Sequence, residues 1–171
     1  MKNRGILTVG FLIGAAVLVW FDQWTKQLAK LYLENQPPKV LLDSIFELQY
    51  LENRGAAFGM LQGKQFFFLV IAAVVLCASA LLLARVPLTR RFLPLTGCAM
   101  LICSGAIGNM IDRVSRGYVV DFFYFKLINF PIFNVADCYV TVAAFLLIVL
   151  IFFYYKEEEL GWFTLKKGAG K

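Results

Sequence analysis

The sequence predicts a mainly α integral membrane protein: four transmembrane helices with a small β-sheet on one side of the bilayer. Three observations carry that expectation. The 171-residue chain is 60% hydrophobic and only 16% charged, whereas a soluble domain holds about 45–50% apolar and about 25% charged residues. The apolar residues gather into four blocks, each close to the ~20 residues a helix needs to cross a ~30 Å hydrocarbon core. The centres of those blocks carry no charge.

The first block, about residues 5–21, reads GILTVGFLIGAAVLVWF after Lys2 and Arg4. No small-residue cleavage site follows it, so it is expected to remain as a span rather than leave as a signal peptide. The second, third and fourth blocks are about 66–84, 92–111 and 138–155. Within lipid the backbone must satisfy its own hydrogen bonds, so all four should be helices. The whole of 1–171 then forms a single membrane domain, with long outer loops at about 22–65 and 112–137, a tight inner loop at 85–91 and an inner tail at 156–171.

An even number of spans puts both termini on one side. Nine basic residues fall there in short segments: Lys2, Arg4, Arg85, Arg90, Arg91, Lys156, Lys166, Lys167 and Lys171. The excess of positive charge in short segments places that side, and both termini, in the cytoplasm. The net charge of +6 does not signal nucleic acid, because the basic residues border apolar blocks rather than line one polar face.

In the first outer loop Asn35-Gln-Pro-Pro stops any helix continuing from the first span. The stretch from Lys39 to Glu52 is rich in β-branched and aromatic residues in partial alternation, which predicts short strands. The turn-rich Asn53-Arg-Gly-Ala-Ala-Phe-Gly run leads to the second span. The tail Lys156-Glu-Glu-Glu-Leu-Gly-Trp reads as a solvated end with an interfacial anchor.

The chain has no histidine. That excludes Ser-His-Asp and Cys-His catalysis, histidine-ligated metals and HExxH zinc peptidases. Cys77, Cys98, Cys103 and Cys138 make no C-x-x-C pair and are expected as small packing residues. No metal and no cofactor is expected.

Polar residues concentrate at the outer ends of spans three and four. On a helix, Asn109 shares a face with Asp112 and Arg113, with Arg116 near it. Gly105 and Gly108 would let a neighbouring helix approach closely. This stripe is either a self-neutralised helix end or part of a site. Asp121 stands alone among apolar neighbours in Tyr118-Val-Val-Asp-Phe-Phe-Tyr-Phe, surroundings that raise a carboxyl pKa. Asp137 sits where the fourth helix should begin and could be a simple cap. The linker between them leaves and returns to the same surface, so both lie at similar depth and can meet. Two adjacent carboxylates share a proton, and such a pair can hydrolyse an amide without histidine, serine or metal.

Four segments carry a family resemblance: Asp22-Gln-Trp-Thr-Lys26, Glu52-Asn-Arg-Gly-Ala-Ala-Phe-Gly59, Gly108-Asn-Met-Ile-Asp-Arg113 with Val120-Asp-Phe122, and Phe133-Asn-Val-Ala-Asp137. In order and in place relative to four spans, they resemble the motif set of bacterial lipoprotein signal peptidases (signal peptidase II). The resemblance implies an inner-membrane aspartyl endopeptidase with its site at the periplasmic face, a periplasmic β-cradle and a short surface helix closing over substrate. The substrate it implies is a prolipoprotein whose lipobox cysteine carries diacylglycerol, cut on the amino side of that cysteine, with globomycin-type inhibition. It matches Asp121 and Asp137 to the catalytic dyad, and Asn53, Asn109, Arg113 and Asn134 to polar residues lining the substrate site. Asp22, Lys26, Gly55 and Asp112 match supporting motif positions, Asp22 and Lys26 being favoured as a structural i,i+4 pair. Membrane phospholipids are the expected surroundings and a monomer the expected state.

Two rival readings exist, the first a proton-coupled transporter or small channel. A proton-coupled transporter needs ionisable stepping stones through the bilayer, and the span centres have none. The second is a non-catalytic assembly or anchoring protein with an acidic outer patch.

Overall fold

A computed structural model describes residues 3–55 and 63–163. Asn3 caps the first helix, its side chain accepting from the Gly5 amide at 2.8 Å. This helix, α1, runs Arg4–Leu33, about three turns past the first apolar block. Nothing in Asp22–Leu33 breaks a helix; the polar residues there only interrupt its hydropathy. The break comes where Asn35 adopts φ 59° ahead of Pro37-Pro38. At 30 residues the helix is ~45 Å long, well beyond the ~30 Å of hydrocarbon it must cross.

Strands β1 (Lys39–Leu42) and β2 (Phe46–Asn53) form a hairpin. The third strand, β3 (Val119–Phe125), pairs antiparallel with β2, giving the order β1-β2-β3. The strands expected in the first outer loop are therefore joined by one from the second. Its Val-Val-Asp-Phe-Phe-Tyr-Phe sequence has the β-branched and aromatic character of a strand. Asn53 lies opposite Val119, and Leu51 opposite Asp121.

Helix α2 covers Gln65–Arg85. A 3₁₀ turn at Arg90–Phe92 leads into α3, Leu93–Arg116, with Pro94 in the first turn, where no amide donor is needed. Gly117, at φ 77°, ends α3 in the left-handed conformation that a side chain would resist, and the chain reverses directly into β3. Helix α4, Val135–Val149, continues as a π turn through Leu150–Tyr154. A second 3₁₀ turn on the sheet side covers Lys126–Ile128. Residues 56–62 of the first outer loop, including part of one motif, lie outside the described residues.

Four helical segments are long and apolar enough to cross a membrane: Arg4–Leu33, Gln65–Arg85, Arg90–Arg116 and Val135–Tyr154. The third is central. Half of its most apolar window is buried within the protein, against 11–17% for the others, and it packs on all three. Glycine makes that possible: a Cβ on Gly105 would come within 2.6 Å of the Ala136 carbonyl oxygen, and one on Gly108 within 2.5 Å of Asp22 Oδ2. One apolar cluster, around Leu7, Phe92, Leu95 and Tyr155, ties the helices at the end remote from the sheet. A second, with Ala29, Leu33, Tyr118, Val120 and Val135, seats the sheet on α1 and α4. At the remote end, Tyr155 stacks on Phe92 and Arg91 pairs with Glu159 at 2.6 Å. All four cysteines are free thiols.

Candidate active site

Asp121 projects from β3 and is 1% exposed. Both of its carboxyl oxygens accept from amides: Oδ1 from Asn134 Nδ2 at 2.6 Å, Oδ2 from Asn53 Nδ2 at 2.8 Å. Asn53 is itself oriented, because the Gly55 amide donates to its Oδ1 at 3.0 Å. Burial pushes the Asp121 carboxyl up to about 7, and the negative charge of Asp137 adds to that, against the opposing pull of the two amides and of Lys26.

Asp137 is a helix cap and something more. Asn134 is the N-cap of α4, accepting from the Asp137 amide at 3.1 Å, while Asp137 Oδ2 accepts from the Asn134 amide at 3.1 Å. This capping box fixes the start of the helix. Its other oxygen, Oδ1, turns away and accepts from Asn109 Nδ2 at 2.8 Å. The Asn134 side chain therefore contacts both aspartates, and also donates to Asn109 Oδ1 at 3.1 Å.

Asp121 and Asp137 line one cavity of about 720 Å³, together with Asn53, Gly55, Asn109 and Arg113. Of the residues expected at a substrate site, only Asn134 stands behind the wall rather than in it, fully buried and bound to three of the others. Arg113 lies over the Phe68 ring at 4.3 Å and donates to the Asn109 and Gly55 carbonyl oxygens at 3.4 and 3.3 Å. The rest of the cavity is apolar, built from Phe68 of α2, Phe125 and the linker Ile128–Phe133, and Val142 of α4. A polar end carrying the aspartates and a large apolar end thus share one space. The linker is a part of the site not expected from the sequence, although its run of apolar residues, Leu127, Ile128, Phe130, Ile132 and Phe133, is a signal for it.

Asp22, Lys26 and Asp112 do not reach the cavity. All three are fully buried beneath it. Lys26 Nζ pairs with Asp22 Oδ2 at 2.9 Å and Asp112 Oδ2 at 3.1 Å, so the expected i,i+4 pair is present but incomplete without Asp112. Arg116 holds the other oxygen of Asp112 at 3.2 Å. Gln23, missed in the sequence, donates to Asp22, Asp112 and the Gly108 carbonyl at 3.1–3.2 Å. Among the described residues no three Asp, Glu or Cys side chains converge as metal ligands would.

The profile of the family described as Signal peptidase (SPase) II matches residues 14–153. The lipoprotein signal peptidase of Caldanaerobacter subterraneus subsp. tengcongensis is 46% identical over 136 residues, covering 79% of this chain and 90% of that protein. The lipoprotein signal peptidase of Brevibacillus brevis is 43% identical over 129 residues, 75% of this chain and 85% of that protein. Two solved structures, both described as bacterial membrane enzymes obtained by the in meso method, superpose with TM-scores of 0.73 and 0.74 at 31% and 30% identity. They are matched over 87% and 94% of their lengths and cover 83% and 85% of this one. The family profile over residues 14–153 and relatives at 43–46% identity, on a four-helix membrane scaffold matched along most of its length, place this chain in the signal peptidase II family.

Proposed function

We propose that the chain is an aspartic endopeptidase that removes signal peptides from prolipoproteins, with Asp121 and Asp137 as its catalytic dyad. The observation that carries this reading is the shared polar end of the cavity: two carboxylates, bridged by Asn134, one of them pushed up to about 7 by burial and by its neighbour. Such a pair holds one proton near neutral pH.

The chemistry follows from that proton. Asp121, the desolvated member, carries it and donates to the scissile carbonyl oxygen. Ionised Asp137 takes a proton from a water molecule as its oxygen attacks the carbonyl carbon. The tetrahedral intermediate then collapses: the C–N bond breaks, the departing amine leaves with the proton gained by Asp137, and one hydroxyl of the intermediate returns its proton to Asp121 as the carboxylic acid forms. The amides of Asn53, Asn109 and Asn134 hold both carboxyl groups in place, so little reorganisation is needed during the reaction. Arg113, with donors left over, is suited to substrate carbonyl or ester oxygens.

The apolar end of the cavity suits an acyl-bearing substrate, which supports a diacylglyceryl cysteine as the residue on the amine side of the cut. We place the termini in the cytoplasm and the sheet outside a bacterial inner membrane, on the distribution of Lys and Arg, with the enzyme acting as a monomer and open to globomycin-type inhibitors.

The test is processing of a lipidated prolipoprotein, read as a mobility shift on a gel. Asp121→Asn and Asp137→Asn should each abolish the shift while the protein stays folded and inserted. Processing at the normal rate by either variant would overturn the dyad assignment. A zinc chelator should leave the rate unchanged.

A further inference from the structure

The buried layer beneath the dyad contains a second ordered arrangement. Asp22 Oδ1 accepts from the Ala136 amide at 2.9 Å, one residue before Asp137. Asp112 Oδ2 accepts from the Val120 amide at 3.2 Å, one residue before Asp121. Each buried carboxylate thus grips the backbone immediately ahead of one aspartate of the pair. Lys26 joins them, 2.9 Å from Asp22 and 3.1 Å from Asp112, and gives its remaining proton to Asn109 Oδ1 at 2.8 Å. An ammonium has three donors, and all three are used.

That last bond has a direction. Asn109 Oδ1 accepts from both Lys26 and Asn134, while its Nδ2 donates to Asp137 Oδ1. Turning the amide over would set its NH2 against two donors and its oxygen against a carboxylate. With Lys26 in place only one orientation is satisfied.

We propose that Lys26 is a positioning residue for the peptidase reaction: it spaces the backbones that carry Asp121 and Asp137, and fixes the Asn109 amide so that Asp137 receives a hydrogen bond. The inference rests on the dyad reading above. The charged groups facing the pair are Asp22 and Lys26 from α1 and Asp112, Arg113 and Arg116 from α3; Glu52 and Arg54 of the β2 edge pair with each other at 2.9 Å.

Lys26→Met alone leaves two buried carboxylates short of a partner and can unfold the protein. The informative variant is Asp22→Asn with Lys26→Met. It removes one charge of each sign, and the asparagine oxygen can still accept from Ala136. Compared with Asp22→Asn alone in detergent, the double variant should keep its melting temperature. Its kcat should fall on the order of 10²-fold with KM little changed, and the acid limb of its pH–kcat profile should move to higher pH, because the pair loses a donor to its ionised form. Adding Asn109→Ala should cost little more, since both changes break one chain of contacts. Titration of the aspartate ¹³C carboxyl signals reads the same upward move without turnover, so the proposal remains testable in a variant that does not process substrate. Unchanged carboxyl titration in the double variant, or a lost melting temperature with an unchanged pH profile, would overturn it. If Asp121→Asn is active, the dyad reading itself fails instead.

Discussion

Asn134 donates to Asp121 at 2.6 Å through the same side chain whose oxygen caps α4 at the Asp137 amide. One residue thus sets both where the last helix begins and where the other aspartate stands. The two roles can be separated. Serine caps a helix nearly as well as asparagine but is too short and has no amide to reach Asp121. Asn134→Ser should therefore melt within about 1 kcal/mol of the parent yet lose on the order of 10²-fold in kcat. Asn134→Ala should lose activity and also about 1 kcal/mol of stability. Thermal melts in detergent alongside gel-shift kinetics would show the split.

The pH dependence follows from the raised Asp121 carboxyl. Ordinarily an aspartic acid ionises near 4; here the proton is retained up to about 7. The folded protein therefore binds a proton that the unfolded chain has released, and stability from this group falls as pH rises from about 4 to about 7, then levels off. Turnover should fall above about 7, when the pair loses its shared proton. Asp121→Asn should remove that part of the stability slope, which melting temperatures of parent and variant at a series of pH values would reveal.

Close packing around α3 makes its glycines sensitive. The atom nearest a Cβ on Gly108 is Asp22 Oδ2, which cannot swing aside because Lys26 and Ala136 hold that carboxylate. At Gly105 the nearest atom is backbone, the Ala136 carbonyl oxygen. Gly105→Val and Gly108→Val should each cost about 1–3 kcal/mol through overpacking and should reduce processing, because both push on the segment leading into Asp137. Gly97 has nothing within 4 Å of its would-be Cβ, so Gly97→Ala should be close to neutral in the same melts.

At the remote end, Arg91 pairs with Glu159 and lies over the Tyr154 ring at 4.2 Å. Both side chains of the pair are partly exposed, 39% and 29%, so the interaction is screened. Arg91→Ala should shift the melting temperature only slightly and leave kcat unaltered, giving a control far from the cavity.

Much of this was readable from the residues. Four apolar blocks gave four helices because lipid admits little else, and the two aspartates could be paired by topology because α3 and α4 share an end. The reading stopped short where local composition and tertiary setting disagree. Asp22 to Leu33 looked like the start of a loop because its polar residues lower the hydropathy; in the structure Asp22, Gln23 and Lys26 find partners on α3 and α4, and the helix continues. Lys26 could be paired with Asp22 at i,i+4 from spacing alone, but its bonds to Asp112 and Asn109 cross more than 80 residues of sequence, and no periodicity reports those. Asp137 was legible as a cap, and the structure shows that cap and cavity use opposite oxygens of one carboxylate.

The capping box of α4 has a consequence for how the molecule comes into being. Its residues leave the ribosome after those of the other walls of the pocket, from β2, α2, α3 and β3, which they complete. A chain halted before Asn134 lacks one aspartate and the asparagine that steadies the other. On the proposed mechanism, cutting ability therefore arrives only with the fourth helix. Ribosome-stalled chains of increasing length, released into membranes, should show processing switch on in a single step rather than grow by degrees.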